Sequence, residues 1–319
     1  MRRRTPHCGG VVAFYVADAH CDYLFGAVQS GFDLLEPKRG QVITMERLRS
    51  GHVAMQVFAM WIDTSLRASP LHQCIAMIDA YNHMLERHPQ LVPFTKDYVP
   101  TPGMTATVLA IEGGEAIEGS LAALRMLYKL GVRVIGLCWN ENNELTGAAM
   151  ANGNRGLTPL GREVVEEMCR LGIAIDVSHA SDRAVDDLLK YSARPLFASH
   201  SNARAVYNSP RSLLDEHIRA IAAEGGVIGV NFFHQQLCGN GTARIQDIVR
   251  QIQHIVDVGG PYACALGSDF DGMTRYPHDL KNSGDFPKLG CALQMAGFSD
   301  EQIHRIFYAN LRNYMARFI

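Results

Sequence analysis

The feature that most constrains the fold is a repeated alternation of short apolar runs with amphipathic stretches. Most of the apolar runs are continuous at successive positions. Such a strand is buried on both faces, which is typical of a parallel sheet covered by helices. The predicted strands are Val11–Ala17, Val53–Ile62, Thr107–Ile111, Val132–Leu137, Ile173–Val177, Pro195–Ala198, Val227–Asn231 and Cys264–Gly267.

The stretches between these runs have the apolar spacing of helices. Thr158 and Ser181 are suitable N-terminal caps, and Gly131, Gly172 and Gly225 each follow a helical stretch. The predicted helices are Leu71–Arg87, Leu121–Leu130, Pro159–Leu171, Ser181–Leu189, Leu214–Ala223 and Ile245–Val258. Eight strands alternating with helices predict a closed (β/α)8 TIM barrel, with an open doubly wound sheet as the alternative. We expect residues 1–319 to form this single catalytic domain.

Composition excludes several classes of protein. The net charge is −2 and no basic stripe is visible, so nucleic acid is not an expected partner. No stretch approaches the roughly 20 apolar residues of a membrane span. The eight cysteines include no CxxC pair, which favours free thiols in the cytoplasm. Arg2–Arg4 and the following apolar run imitate a signal peptide, but cleavage after Ala19 would remove a predicted strand.

Polar clusters occur where the predicted strands end. In a barrel these ends form one rim, where active sites lie. The Asn- and Gly-rich stretch 140–156 is predicted to be a long loop at the same rim. The clusters are Asp18-Ala19-His20-Cys21-Asp22, Glu112-Gly113-Gly114, Ser178-His179, Ser199-His200-Ser201 and Ser268-Asp269-Phe270-Asp271-Gly272.

Taken singly, each cluster has an ordinary interpretation as a surface turn, a core histidine or a solvated charge. Together they bring three histidines and several carboxylates to one rim, and packed carboxylates resist ionisation unless a cation compensates them. Imidazole and carboxylate ligands suit Zn²⁺ and similar ions. Two ions can form a bridging hydroxide and polarise a carbonyl. Asp269, after the last strand, is placed to carry a proton to a leaving amine.

At these residues the sequence resembles the membrane (renal) dipeptidase family, zinc peptidase family M19, as a bacterial-type member of the amidohydrolase-like barrels. The resemblance covers nearly the whole chain and includes Asp176-Val177-Ser178-His179 and Gly267-Ser268-Asp269. It implies two divalent ions, most simply Zn²⁺, and a possible homodimer. It assigns His20 and Asp22 to one ion, His179 and His200 to the other, and Glu112 to both.

The resemblance also implies roles in catalysis and substrate binding. Asp269 would be the proton shuttle, and Arg211 would grip the C-terminal carboxylate of a dipeptide, whose two oxygens match a guanidinium fork. Mammalian relatives carry a histidine where this chain has Trp139, followed by Asn140. Trp139 cannot act as an acid or base, so Asn140, another loop residue or the metal must polarise the carbonyl, unless Trp139 only packs under the loop.

Three residues near the clusters receive other expectations. Cys21 should point away from His20 and Asp22 because side chains alternate along a strand. Asp271 should support the turn after the last strand. His234 follows a predicted strand and could line the pocket.

These features predict a cytoplasmic binuclear metallo-dipeptidase whose substrates are free dipeptides, including L,D-dipeptides. Trp139 motivates an alternative within the same fold, a deacylase of N-acyl amino acids or a lactonase. A catalytically silent metal-binding barrel is the alternative outside enzymes.

Overall fold

Eight parallel strands close into a barrel in the computed structural model, which describes residues 14–319. The described strands are β1 Val16–Cys21, β2 Val53–Trp61, β3 Leu91–Pro93, β4 Thr105–Glu112, β5 Val132–Gly136, β6 Ala174–Asp176, β7 Phe197–Ala198, β8 Val227–Val230 and β9 Cys264–Leu266. The ring runs β1, β2, β4, β5, β6, β7, β8, β9 and returns to β1. The predicted TIM barrel is therefore confirmed, and the open sheet is excluded.

The short strand β3 lies outside this ring. It pairs with Thr105–Thr107 of β4, on the same edge that β5 occupies further along at Leu109–Glu112. The other edge of β4 is paired with β2. The sequence analysis did not predict β3, because a strand of three residues is too short to show a periodic pattern.

Helices cover the outside of the barrel. All six predicted helices are present, and Thr158 and Ser181 cap two of them as expected, accepting hydrogen bonds from the backbone N–H groups of Gly161 and Ala184. The described helices are α1 Tyr23–Ser30, α2 Met45–Ser50, α3 Pro70–Arg87, α4 Leu121–Lys129, α5 Pro159–Leu171, α6 Asp182–Tyr191, α7 Asp215–Ala223, α8 His234–Leu237, α9 Ile245–Gly259, α10 Phe286–Met295, α11 Asp300–His304 and α12 Asn310–Met315.

The C-terminal helices were not predicted, and they close the N-terminal end of the barrel. Tyr314 of α12 stacks on Phe197 with ring centroids 5.2 Å apart, and its hydroxyl donates to the carbonyl of Pro195. A π-helical segment, Arg305–Ala309, joins α11 to α12 and breaks the regular 3.6-residue spacing. That break obscures the helical pattern in the sequence.

The first strand was predicted at Val11–Ala17 but runs from Val16 to Cys21, and residues 11–13 lie outside the described residues. Its polar cluster is therefore largely on the strand rather than after it. Asp18 is fully buried and accepts hydrogen bonds from Ser268 N–H at 2.8 Å and Gln56 Nε2 at 3.2 Å. Because these hydrogen bonds compensate its burial, Asp18 can occupy a buried strand position even though the apolar run in the sequence ends before it.

No helix among residues 14–319 is long and apolar enough to cross a membrane. The expectation of free thiols also holds for Cys21, Cys74, Cys138, Cys169, Cys238 and Cys264.

The barrel predicts a contrast between two glycines. A Cβ at Gly267 would lie 1.9 Å from the carbonyl oxygen of Ser199, whereas at Gly136 the nearest atom would be 3.7 Å away. We expect Gly267→Ala to lower the free energy of unfolding by about 1–3 kcal/mol or more, because backbone must move. Gly136→Ala, the matched control, should leave it unchanged or slightly higher. Urea unfolding measures both, and equal losses would contradict this packing.

Candidate active site

A cavity of about 550 Å³ opens at the C-terminal end of the barrel. This volume is in the usual range for a small-molecule site. Eight of the nine residues predicted for the site line it, and the ninth, His20, lies beneath with its Nε2 3.5 Å from Asp22 Oδ2. The lining residues predicted from sequence are Asp22, Glu112, Trp139, Asn140, His179, His200, Arg211 and Asp269.

Glu112, the last residue of β4, lies at the centre of the cluster. Its Oε1 is 2.8 Å from His179 Nε2 and 3.2 Å from His200 Nε2. Its Oε2 is directed to His20, whose Nε2 is 3.6 Å away. The two oxygens of Glu112 thus face two separate groups of side chains. His179 and His200 form the first group, and His20 belongs to the second.

The second group consists of His20, Asp22 and Asp269, which each offer an atom within 4.8 Å of the others. His20 Nε2 and Asp22 Oδ1 are buried and have no hydrogen-bond partner among residues 14–319. Buried polar atoms are normally paired. Together with the imidazole and carboxylate composition of both groups, these two atoms fit the coordination of divalent cations.

The charges in the cluster also fit a cation. Burial, with the nearby Glu112 carboxylate, raises the pKa of Asp22, and burial together with Asp22 raises the pKa of Asp269 well above its usual value. Burial alone would raise the pKa of Glu112, but the surrounding histidines, first His20, hold it well below its usual value. A positive ion between these groups would favour the charged form of all three carboxylates.

Ser199 orients two of the histidines. Its Oγ lies 2.7 Å from His200 Nδ1 and 3.3 Å from His20 Nδ1, and it donates to Asp176. Asp176 also accepts from the N–H groups of Ser178 and Ser199. Because Ser199 donates to Asp176, it accepts from both Nδ1–H groups, so a cation in the cluster would meet the Nε2 atoms of both histidines.

The third histidine, His179, is oriented by the loop after β5. Asn140 Oδ1 lies 2.8 Å from His179 Nδ1, and the N–H of Ala149 donates to the carbonyl of His179. The loop itself is ordered by Asn143, which bonds to Leu137 and to the backbone N–H groups of Leu145 and Thr146. Hydrogen bonds of asparagine side chains, rather than those of a helix or strand, therefore hold this loop in its conformation.

Asp269 is held from two sides. Asn231, just after β8, donates from Nδ2 to Asp269 Oδ2 at 3.1 Å, and the N–H of Asp269 donates to the carbonyl of His20. Its backbone is left-handed, with φ of 63°, a conformation unfavourable for most side chains. Asp271 also lines the cavity, and instead of the turn after the last strand it holds another segment, accepting from the N–H groups of Val42 and Ile43.

Arg211, on the segment between β7 and α7, is buried and forms no ion pair with a carboxylate of residues 14–319. Its Nη2 makes one long hydrogen bond, 3.5 Å, to the carbonyl of His200, and its Nε has no acceptor among residues 14–319. Burial lowers the pKa of this guanidinium. A buried and largely unpaired cation on a cavity wall is suited to receive an anion.

The same geometry shows where Trp139, Cys21 and His234 lie. Trp139 lines the cavity, with its ring 5.0 Å from Trp61 and 6.1 Å from the ring of His179. Cys21 is buried in the hydrophobic core rather than in the cluster. His234 is not among the described residues that line the cavity, although its neighbour Phe233 is.

Sequence reasoning gave no role to Asn231, Ser199 or Asp176, although all three lie at or just after strand ends. The signal that could have found them is this shared position at the rim. The same position at a strand end is what indicated His200, the residue after Ser199.

A parallel barrel with histidines and carboxylates gathered at its C-terminal rim defines the class of metal-dependent hydrolases with a TIM-barrel fold. Within it, this chain belongs to the membrane dipeptidase family, peptidase family M19, whose model matches residues 11–316.

Individual relatives agree with this assignment. The chain is 32% identical over 289 residues to an uncharacterized dipeptidase of Schizosaccharomyces pombe, covering 83% of this chain and 70% of the relative. It is 30% identical over 312 residues to dipeptidase 3 of Mus musculus, covering 93% of this chain and 63% of the relative. The chain thus spans roughly two thirds of the length of these curated relatives.

A solved structure is also similar. It is a metallopeptidase from Rhodobacter sphaeroides in complex with a phosphinate mimic of the dipeptide L-Ala-D-Ala, and it matches with a TM-score of 0.88 and 25% identity. The match covers 96% of this chain and 100% of that chain.

The cluster predicts that divalent ions stabilise the fold through Glu112. After dialysis against a chelator, added Zn²⁺ should raise the free energy of unfolding by about 2.7 kcal/mol for each bound ion at a free concentration 100 times its Kd. Glu112→Gln should lose most of this gain. Glu115→Gln is the matched control, because Glu115 accepts a hydrogen bond from Asn143 and belongs to no cluster with the histidines of residues 14–319. A gain in Glu112→Gln equal to that of the unchanged protein would contradict the assignment.

Proposed function

We propose that this protein is a binuclear metal-dependent dipeptidase. The observation that carries the proposal is the Glu112 carboxylate, whose two oxygens face separate groups of imidazole and carboxylate side chains. The unpaired Arg211 on the wall of the same cavity adds a site for a carboxylate. A free dipeptide carries such a carboxylate next to its single peptide bond.

The ion sites follow from the two groups. His179 and His200 would hold one ion, His20 and Asp22 the other, and Glu112 would contact both. Imidazole nitrogen and carboxylate oxygen ligands together favour Zn²⁺. When bound, the ions would supply a nucleophile from water near neutral pH and polarise the scissile carbonyl.

The side chains around the ions would position the substrate and move the proton. Arg211 would bind the terminal carboxylate through its guanidinium fork, which fixes the peptide bond over Glu112. Asp269, held by Asn231, would take a proton from the attacking water and pass it to the leaving amine. Asn140, with its Oδ1 engaged by His179, keeps its amide N–H₂ for the substrate, beside Trp139.

The substrates that we propose include L,D-dipeptides. The support is the Rhodobacter sphaeroides relative, whose structure holds a mimic of L-Ala-D-Ala. The free thiols support a cytoplasmic location, and the closed barrel supports a single catalytic domain.

The proposed activity predicts hydrolysis of free dipeptides that requires metal. Purified protein loaded with Zn²⁺ should release amine from a panel of L,L- and L,D-dipeptides, and the chelated protein should release none. N-acyl amino acids and lactones complete the panel. If they are hydrolysed faster than every dipeptide, the protein is a deacylase or lactonase instead.

Arg211 provides a more specific prediction. Arg211→Ala should lower kcat/KM for dipeptides by at least about 30-fold, because a buried charge pair is lost. Dipeptide amides, which lack the carboxylate, serve as the matched substrates and should be hydrolysed equally by both proteins. Zn²⁺ content should not change. An equal loss on acids and amides would mean that Arg211 supports the fold rather than the carboxylate.

A further inference from the structure

One side of the cavity is formed by three aromatic side chains, Phe25, Trp61 and Trp139, which we call the aromatic wall. The rings of Phe25 and Trp61 are 4.6 Å apart and those of Trp61 and Trp139 are 5.0 Å apart, both in edge-to-face geometry. They come from three different segments, α1, the end of β2 and the loop after β5. All three are only partly buried, so they present apolar surface to the cavity.

Trp61, whose ring contacts both other rings of the aromatic wall, lies across the barrel from Arg211. Trp61 is the last residue of β2, and Arg211 follows β7. In the ring β1, β2, β4, β5, β6, β7, β8, β9, the strands β2 and β7 are four positions apart out of eight. Strands so related face each other across the axis. Glu112, at the end of β4, and His179, after β6, also line the cavity and lie on the rim between these two sides.

This placement orients a dipeptide, and the inference rests on the proposed function. With its carboxylate on Arg211 and its peptide bond over Glu112, the substrate must direct its N-terminal residue toward β2. We propose that the aromatic wall is the subsite for the side chain of that residue, and that the enzyme selects dipeptides with a large apolar or aromatic N-terminal residue.

The chemistry of the wall favours such side chains. Burying apolar surface against aromatic rings is favourable, and edge-to-face ring contacts add to it. An acidic side chain would lose its hydration there and would face the negative faces of the rings. Met150, more than half exposed on the loop that carries Trp139, also lines the cavity and can adapt to side chains of different shape.

The first arm of the test is kinetic. For the dipeptides Gly-Ala, Ala-Ala, Leu-Ala and Phe-Ala, kcat/KM should rise by at least about 30-fold from the first to the last. In Trp61→Ala this ratio should fall below about 3-fold, and in Trp61→Phe most of it should remain. Trp139→Ala, on the loop, is a second variant in case Trp61→Ala does not fold.

Phe233→Ala is the matched control, since Phe233 lines the cavity outside the wall, after β8. With alanine held constant at the C-terminal position, it should change all four substrates by the same factor. A flat series in the unchanged protein, or a ratio preserved in both tryptophan variants, would overturn the inference.

The second arm measures binding without turnover. The chain contains two tryptophans, Trp61 and Trp139, so its tryptophan fluorescence reports from the wall itself. The phosphinate analogue of Phe-Ala should change this fluorescence and bind at least about 30-fold more tightly than that of Gly-Ala. Equal affinities would overturn the subsite even if dipeptides are hydrolysed. Failure to hydrolyse any dipeptide, with the difference in affinity intact, would instead overturn the proposed activity.

Discussion

The carboxylate of Glu112 is the constraint on which the rest of the site depends. It is buried among three histidines and near two further carboxylates, an arrangement that is costly unless each charge has a counterpart. Its position at the end of β4 lets each oxygen reach a different part of the rim. Two cations would satisfy both oxygens. The buried His20 Nε2 and Asp22 Oδ1, which have no hydrogen-bond partner in the described part of the chain, would complete the second position.

The barrel makes this arrangement possible because parallel strands end together. Residues far apart in the chain meet at one rim, and a further layer of polar side chains fixes their orientation. The hydroxyl of Ser199 forms hydrogen bonds with the Nδ1 atoms of both His20 and His200. Because it donates to Asp176, the same carboxylate orients a histidine in each group. The cavity above is polarised, with a buried guanidinium on one side and aromatic rings on the other. A short ligand with one charged end fits this asymmetry.

Much of this could be predicted from the sequence, since apolar runs mark buried strands and polar residues at their ends mark the rim. The positions of Glu112 and His200 at the rim were predicted in this way. The buried position of Asp18 in a strand could not be predicted, because the hydrogen bond that it accepts comes from Ser268, 250 residues away. Trp61 fell within a predicted strand and gave no sign that its ring faces a cavity. The hydrogen bond from Asn231 to Asp269 forms because β8 and β9 are neighbours in the ring, and no local sequence pattern shows the order of the strands.

The most direct test of the account is anomalous diffraction from crystals of the protein loaded with Zn²⁺. The account predicts two zinc peaks, one beside Glu112 Oε1 with His179 and His200, and one beside Glu112 Oε2 with His20 and Asp22. A single peak, or ions bound away from Glu112, would contradict the binuclear site.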